Sequence, residues 1–153
     1  MSGSTGGASE NWAERFANAA ERLSGTPFQL HGRNPVFGLD CVGLVVASLD
    51  HCAIKTPAVP PYALRNSDFR FVDRLAREVG FVAVDAAIQR GDLVLVAPGP
   101  AQRHLLVASA TDKFIHAHAG LRRVVRHTGQ LAWPVVTHWR LDPARIQTLN
   151  TEG

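Results

Sequence analysis

The 153 residues, 46% of them hydrophobic and 19% charged, describe one globular core and exclude a disordered or fibrous chain. Sixteen Lys and Arg against thirteen Asp and Glu leave a formal charge of +3, which favours anionic partners without choosing among nucleic acid, membrane surface and acidic cell-wall polymer. No apolar run approaches the roughly 20 residues that span a bilayer, and the Gly/Ser-rich opening lacks the features of a secretory signal, so a soluble chain made in the cytoplasm without membrane insertion is expected.

Residues 1–10 have the composition of a flexible tail. Asn11, followed three residues later by Glu14, resembles a capping box, and Trp12, Phe16, Ala19, Ala20 and Leu23 recur at helical spacing, which predicts a helix over 12–23. Residues 24–39 are punctuated by Gly25, Pro27, Gly32, Pro35 and Gly38 and read as an irregular loop. Asp40 then supplies an N-cap for a mostly buried helix carrying Val42, Leu44, Val45, Val46 and Leu49. After a turn-forming stretch from Lys55 to Tyr62, Ser67 caps a third helix that lines up Phe69, Val72, Leu75, Ala76 and Val79 and stops at Gly80.

The second half changes character. Phe81–Val84, Asp92–Ala97, His104–Ala108, Phe114–Ala117, Val124–His127 and Val135–Leu141 are short apolar or β-branched runs between Gly, Pro or Asp, the pattern of strands. Helices first and strands afterwards predict an α+β domain over 11–143, its N-terminal helices packed on a five- to six-stranded antiparallel sheet, with 144–153 as a C-terminal tail.

Two cysteines are present, Cys41 and Cys52, and on one helix they stand about 16 Å apart, too far for a disulfide. Cys41 directly follows the cap Asp40, where free backbone N–H groups and the helix dipole favour a thiolate. Alone, a cysteine there is more often a small core residue, and Asp40 is more readily a structural cap than an acid. The segment HLLVASATDKFIHAH adds a second feature: with Thr111 and Asp112 at the tip of a hairpin, His104 and His116 fall roughly opposite each other, as base and orienter of a thiol would. His118 shares their side of the sheet, which keeps a three-histidine metal site as a rival, although no carboxylate accompanies the set. Arg122, Arg123 and Arg126 lack interleaved aromatics and read as a solvated strand edge, not a nucleic-acid platform.

The ordered set DCVGLV at 40–45, GDLVLV at 91–96, HLLVAS at 104–109 and FIHA at 114–117 resembles the NlpC family of bacterial cell-wall cysteine peptidases, over about residues 12–141. The resemblance implies a circularly permuted papain-like fold with Cys41 as nucleophile, His104 as base and His116 as orienting residue, and with no metal or cofactor. It implies that Phe28, Asp40, Val42, Arg103 and His118 surround the substrate, a peptidoglycan stem peptide cut at D-γ-glutamyl-diaminopimelate. Phe28 stands where the family has Tyr, Val42 where it has Ser, and Leu105 and Leu106 where it has V-G. The compact length and the PPY at 60–62 look most like the phage and gene-transfer-agent branch, which implies tail proteins as partners and action in the periplasm from a phage-like particle. A binding module that kept the fold without turnover, or an amidase or acyltransferase on the same residues, is the alternative.

Overall fold

The computed structural model of the protein describes residues 11–62 and 69–149. The expected cap Ser67 and the tail 1–10 lie outside the described residues. Helix α1 (Trp12–Arg22) begins where the Asn11 side chain accepts the Glu14 amide at 3.1 Å, one half of the expected capping box. Helix α2 (Cys41–His51) is capped by Asp40 and buried on nearly every side, Ser48 included, whose hydroxyl is satisfied by the Leu44 carbonyl at 2.7 Å. Helix α3 (Arg70–Val79) buries Val72, Ala76 and Val79, and Gly80 ends it at φ +125°, a conformation that glycine adopts without a steric cost.

Between α1 and α2 the expected irregular loop holds a two-stranded ribbon, β1 (Arg33–Asn34) with β2 (Gly38–Leu39), and bridges from Pro27 to Arg123 and from Phe28 to Leu39. The main sheet has six strands: β3 (Phe81–Ala83), β4 (Leu93–Val96), β5 (His104–Ala110), β6 (Lys113–His118), β7 (Arg123–Thr128) and β8 (Val135–Leu141). Their order is β3-β8-β4-β5-β6-β7, and every neighbouring pair is antiparallel, so the expected α+β architecture is realised with six strands.

Alternation divides this sheet into two buried faces. Leu93, Leu95, Leu105, Val107, Ile115 and Ala117 join the main core with α1 and α2, while Val94, Val96, Leu106, Ala108 and Phe114 pack on the other face with Ile88, Leu131 and Trp133. Burial on both faces explains why β4 reads as an unbroken apolar run. The Asp of the GDL motif has a structural part. Asp92 is fully buried and accepts from Arg140 at 2.8 and 2.9 Å and from the Gln89 amide at 3.0 Å, which closes the turn into β4.

Residues 142–149, which follow β8, dock beside the turn after α2. A 3-10 turn at Pro143–Arg145 is capped by Asp142, Ile54 bridges Thr148, and the Leu149 amide donates to the Ala53 carbonyl at 2.8 Å. Arg123 and Arg126 lie exposed on β7, last in the strand order, but the edge is partly covered: Val124 exchanges backbone hydrogen bonds with Gly25 and Thr26 at 2.8 Å, and Arg126 donates to the Glu21 carbonyl at 3.2 Å.

Candidate active site

A cavity of about 310 Å³ is lined by Phe28, Cys41, Pro98, Gln102, Arg103, His104, His116, Ala117, His118, Ala119, Gly120 and Trp133. Cys41, at the first position of α2, thus borders the same space as His104, the first residue of β5, and His116 on β6.

The hairpin does not set the two histidines directly opposite. Ala110 pairs with Lys113 around the expected Thr111-Asp112 tip, but the register shifts between Ala108 and Ala110, and Val107 pairs with Ile115. Continued along the strands, this register aligns Leu106 with His116 and makes His104 a diagonal neighbour on the same face. The contact survives the offset because imidazole is long enough to bridge a diagonal: His104 Nε2 lies 3.0 Å from His116 Nδ1, with the ring planes nearly perpendicular at 81°. Trp133 meets both rings edge-on, at centroid distances of 5.8 and 5.9 Å, and walls the pair on one side.

Since His104 Nε2 is engaged by His116, Nδ1 is the nitrogen left for the cavity. A proton on His104 Nε2 donated to His116 Nδ1 makes that free Nδ1 a base. Burial first, then the neighbouring His116 and His118, pushes His104 down to about 3, and burial with His118 and His127 pushes His116 down to about 4. Both rings are therefore neutral at physiological pH.

The thiol departs from its expected ionisation. A helix start lowers a cysteine pKa, yet Cys41 is only 1% exposed, and burial followed by the adjacent Asp40 carboxylate pushes it up to about 12. Backbone amides of Leu105, Val42 and Cys41 itself oppose that rise without overcoming it. Gly43, the next amide of the first turn, is taken by the Asp40 side chain at 2.8 Å, so the cap leaves the Cys41 and Val42 N–H groups directed to the sulfur.

Of the other expected substrate contacts, Phe28, Arg103 and His118 line the cavity. Asp40 and Val42 do not. Asp40 is fully buried with both oxygens occupied by protein donors, and Val42 faces the core beside Val45, Leu49 and Leu105. His118 turns Nδ1 to the Leu121 amide at 3.0 Å, and among the described residues no group of three or more His, Cys, Asp or Glu is placed to hold a metal ion. Cys52, at the far end of α2, is a buried free cysteine outside the cavity.

Behind Cys41 lies a cluster that sequence reading missed: Arg33 and Tyr62, which converge on Asp40 from segments 29 residues apart. PPY at 60–62 was visible as a turn, but nothing in one sequence pairs its tyrosine with Arg33.

Comparison with solved structures returns the same fold. NlpC1 from Trichomonas vaginalis matches with a TM-score of 0.64 at 21% identity, over 86% of this chain and 44% of that one. The P60 domain of antigen MAP1204 from M. avium subspecies paratuberculosis matches with a TM-score of 0.56 at 16% identity, over 86% and 95% of the two chains. The NlpC/p60 domain of the peptidoglycan hydrolase SagA matches with a TM-score of 0.53 at 18% identity, over 76% and 88%. The chain spans less than half the length of the Trichomonas protein. A search of curated proteins finds no match. The model of the NlpC/P60 family matches residues 25–139, which include Cys41, His104 and His116, and the chain belongs to that family.

Proposed function

We propose that this protein is a cysteine endopeptidase that hydrolyses amide bonds in peptidoglycan stem peptides, of the D-γ-glutamyl-diaminopimelate type, through Cys41, His104 and His116. The observation that carries the reading is the 3.0 Å contact from His104 Nε2 to His116 Nδ1, which leaves Nδ1 as the nitrogen of His104 to serve Cys41, a lining residue of the same cavity. Family membership and the likeness to a domain of a peptidoglycan hydrolase support it.

In this mechanism His104 Nδ1 takes the Cys41 proton as the sulfur attacks the amide carbon, and the carbonyl oxygen becomes an oxyanion. The N–H groups at the start of α2 are the donors available to it. The imidazolium then hands its proton to the nitrogen of the departing amine, and the C–N bond breaks to leave a thioester. Water, losing a proton to His104, attacks the thioester; the C–S bond breaks to release the carboxylic acid, and His104 returns the proton to the sulfur to restore the thiol. In this mechanism His116 Nδ1 accepts the His104 Nε2–H in both charge states of His104.

Arg103 is the permanent positive charge among the described residues lining the cavity, and no Asp or Glu accompanies it there. A guanidinium so placed suits a substrate with a carboxylate near the scissile amide, as stem peptides have. The tail-associated role follows the resemblance to the phage and gene-transfer-agent branch and is part of the same proposal.

The test is digestion of purified diaminopimelate-type peptidoglycan by wild type and Cys41→Ala, with released muropeptides identified by mass spectrometry. One bond cut by the wild type and not by the variant is the expected result. Wild-type protein that binds the polymer and releases nothing would replace this reading with the non-catalytic module.

A further inference from the structure

An N-cap needs one acceptor for one or two first-turn amides. The Asp40 carboxylate has four protein donors drawn from three segments. Oδ1 accepts the Gly43 amide at 2.8 Å and Arg33 Nη1 at 3.2 Å. Oδ2 accepts the His31 amide at 2.8 Å and, in a short hydrogen bond, the Tyr62 hydroxyl. Arg33 Nη2 in turn donates to the Tyr62 oxygen at 2.9 Å, and the guanidinium lies over the Tyr62 ring. His31 holds φ at +62°, left-handed for a residue with a side chain, while its amide reaches Asp40 and its ring meets the Tyr62 carbonyl at 2.6 Å. Gly43 allows the approach: a Cβ there would stand 2.0 Å from the Gly32 carbonyl oxygen.

Helix capping does not account for so many donors, whereas the neighbouring residue does. Asp40 is a fully buried carboxylate beside the sulfur that must carry negative charge during attack, and like charges so close oppose each other. Across the cavity the other titratable or charged groups near Cys41 are His104, His116, His118 and Arg103. Arg33 and Tyr62 approach from behind, on the Asp40 side.

We propose that Arg33 and Tyr62 are positioning residues for the nucleophile: together they neutralise and immobilise the Asp40 carboxylate, so that Cys41 gives up its proton without an uncompensated negative charge beside it. This rests on Cys41 being the nucleophile of the proposed peptidase, but its test reads the thiol and not peptide cleavage. The segment ending at Tyr62 becomes part of the site without touching substrate. Its ring is held in place by Phe71, stacked at 5.7 Å, and by Phe69, edge-on at 6.1 Å.

The experiment measures the rate of Cys41 alkylation by iodoacetamide at mildly alkaline pH, in the full chain carrying Cys52→Ala so that one thiol reports. Arg33→Met should slow alkylation about tenfold, the effect of roughly one pKa unit when an opposite charge is withdrawn from a buried carboxylate next to the thiol. Tyr62→Phe, which keeps the ring packing, should slow it by a smaller factor. Adding Asp40→Asn to Arg33→Met should restore the parental rate in protein that thermal melts show to be folded, because the Asn oxygen still accepts the Gly43 amide and the residue carries no charge, although the His31 amide loses its acceptor. Alkylation of folded Arg33→Met at the parental rate, or failure of Asp40→Asn to restore it, overturns the proposal. Should Arg33→Met not fold, Tyr62→Phe decides, and a parental rate there rejects the clamp. If the clamp behaves as expected and the wild type cuts no peptidoglycan, only the peptidase reading falls.

Discussion

Replacing His116 by Leu removes the partner of His104 Nε2 and leaves the cavity side of the His104 ring unchanged. In the proposed mechanism His104 becomes an imidazolium whose Nε2–H points at His116 Nδ1 across 3.0 Å. A hydrogen bond to a charged group is worth about 1.5–3 kcal/mol, and this one is strongest while the charge exists. Its loss therefore falls on kcat, by about 10- to 150-fold at about 1.4 kcal/mol per decade, with KM little changed. Two effects on stability oppose each other: leucine buries more apolar surface where His116 is 4% exposed beside Trp133, 5.9 Å from its ring, and it leaves His104 Nε2–H without its acceptor, so the thermal midpoint should move little. His116→Asn retains an acceptor for His104 and should keep most of the activity that leucine loses. Initial rates of muropeptide release, set beside thermal melts, read all three quantities. Wild-type kcat in His116→Leu, or equal damage from Leu and Asn, would show that His116 does not act through this hydrogen bond.

The neutral histidines also bear on stability against pH. Both are held below their ordinary value of 6.5, His104 down to about 3 and His116 down to about 4, by burial first and then by neighbouring histidines. The unfolded chain then binds more protons than the folded one inside that window, so their contribution is complete above pH 6.5 and is lost as pH falls toward 4 and 3. Urea midpoints measured across the window should fall with pH, less so in a His104→Leu, His116→Leu double variant; a parallel fall in both proteins would refute the assignment. Gly43→Ala should destabilise by about 1–3 kcal/mol despite the better helix propensity of alanine, because the new methyl overlaps the Gly32 carbonyl. Chemical denaturation checks this, and a variant as stable as wild type would mean that the 31–33 loop yields freely.

Local rules made much of this molecule legible. Asp40 followed by an apolar run predicts a capped, buried helix, and the Gly43 amide on its carboxylate is that cap. The strands follow from short apolar runs between breakers, since each is buried on at least one face. Register was harder to read, because the shift between Ala108 and Ala110 leaves no mark in a hairpin whose turn residues are as expected. The sign of the Cys41 shift was also hidden: a helix start argues for a thiolate, whereas complete burial and the carboxylate one residue earlier argue against it and win. Arg33 and Tyr62 were invisible for a third reason. Their pairing depends on two loops meeting behind α2, and loops converge through tertiary contacts that no periodicity encodes.

With the Cys41 thiol pushed up and the His104 imidazole pushed down, both by burial first, the neutral pair is favoured over the ion pair before substrate binds. In the proposed mechanism sulfur must therefore lose its proton as the new C–S bond forms, when negative charge passes from sulfur to the carbonyl oxygen. At that stage a buried site helps instead of hindering. The N–H groups of Cys41 and Val42, the neutral acceptor on His116 and the compensated Asp40 carboxylate are all in place beforehand, and none needs to reorganise as charge moves. Desolvation that holds the resting thiol protonated thus also strengthens each of these interactions once the reaction begins, and turnover then depends on substrate entering the cavity and not on a large standing population of thiolate.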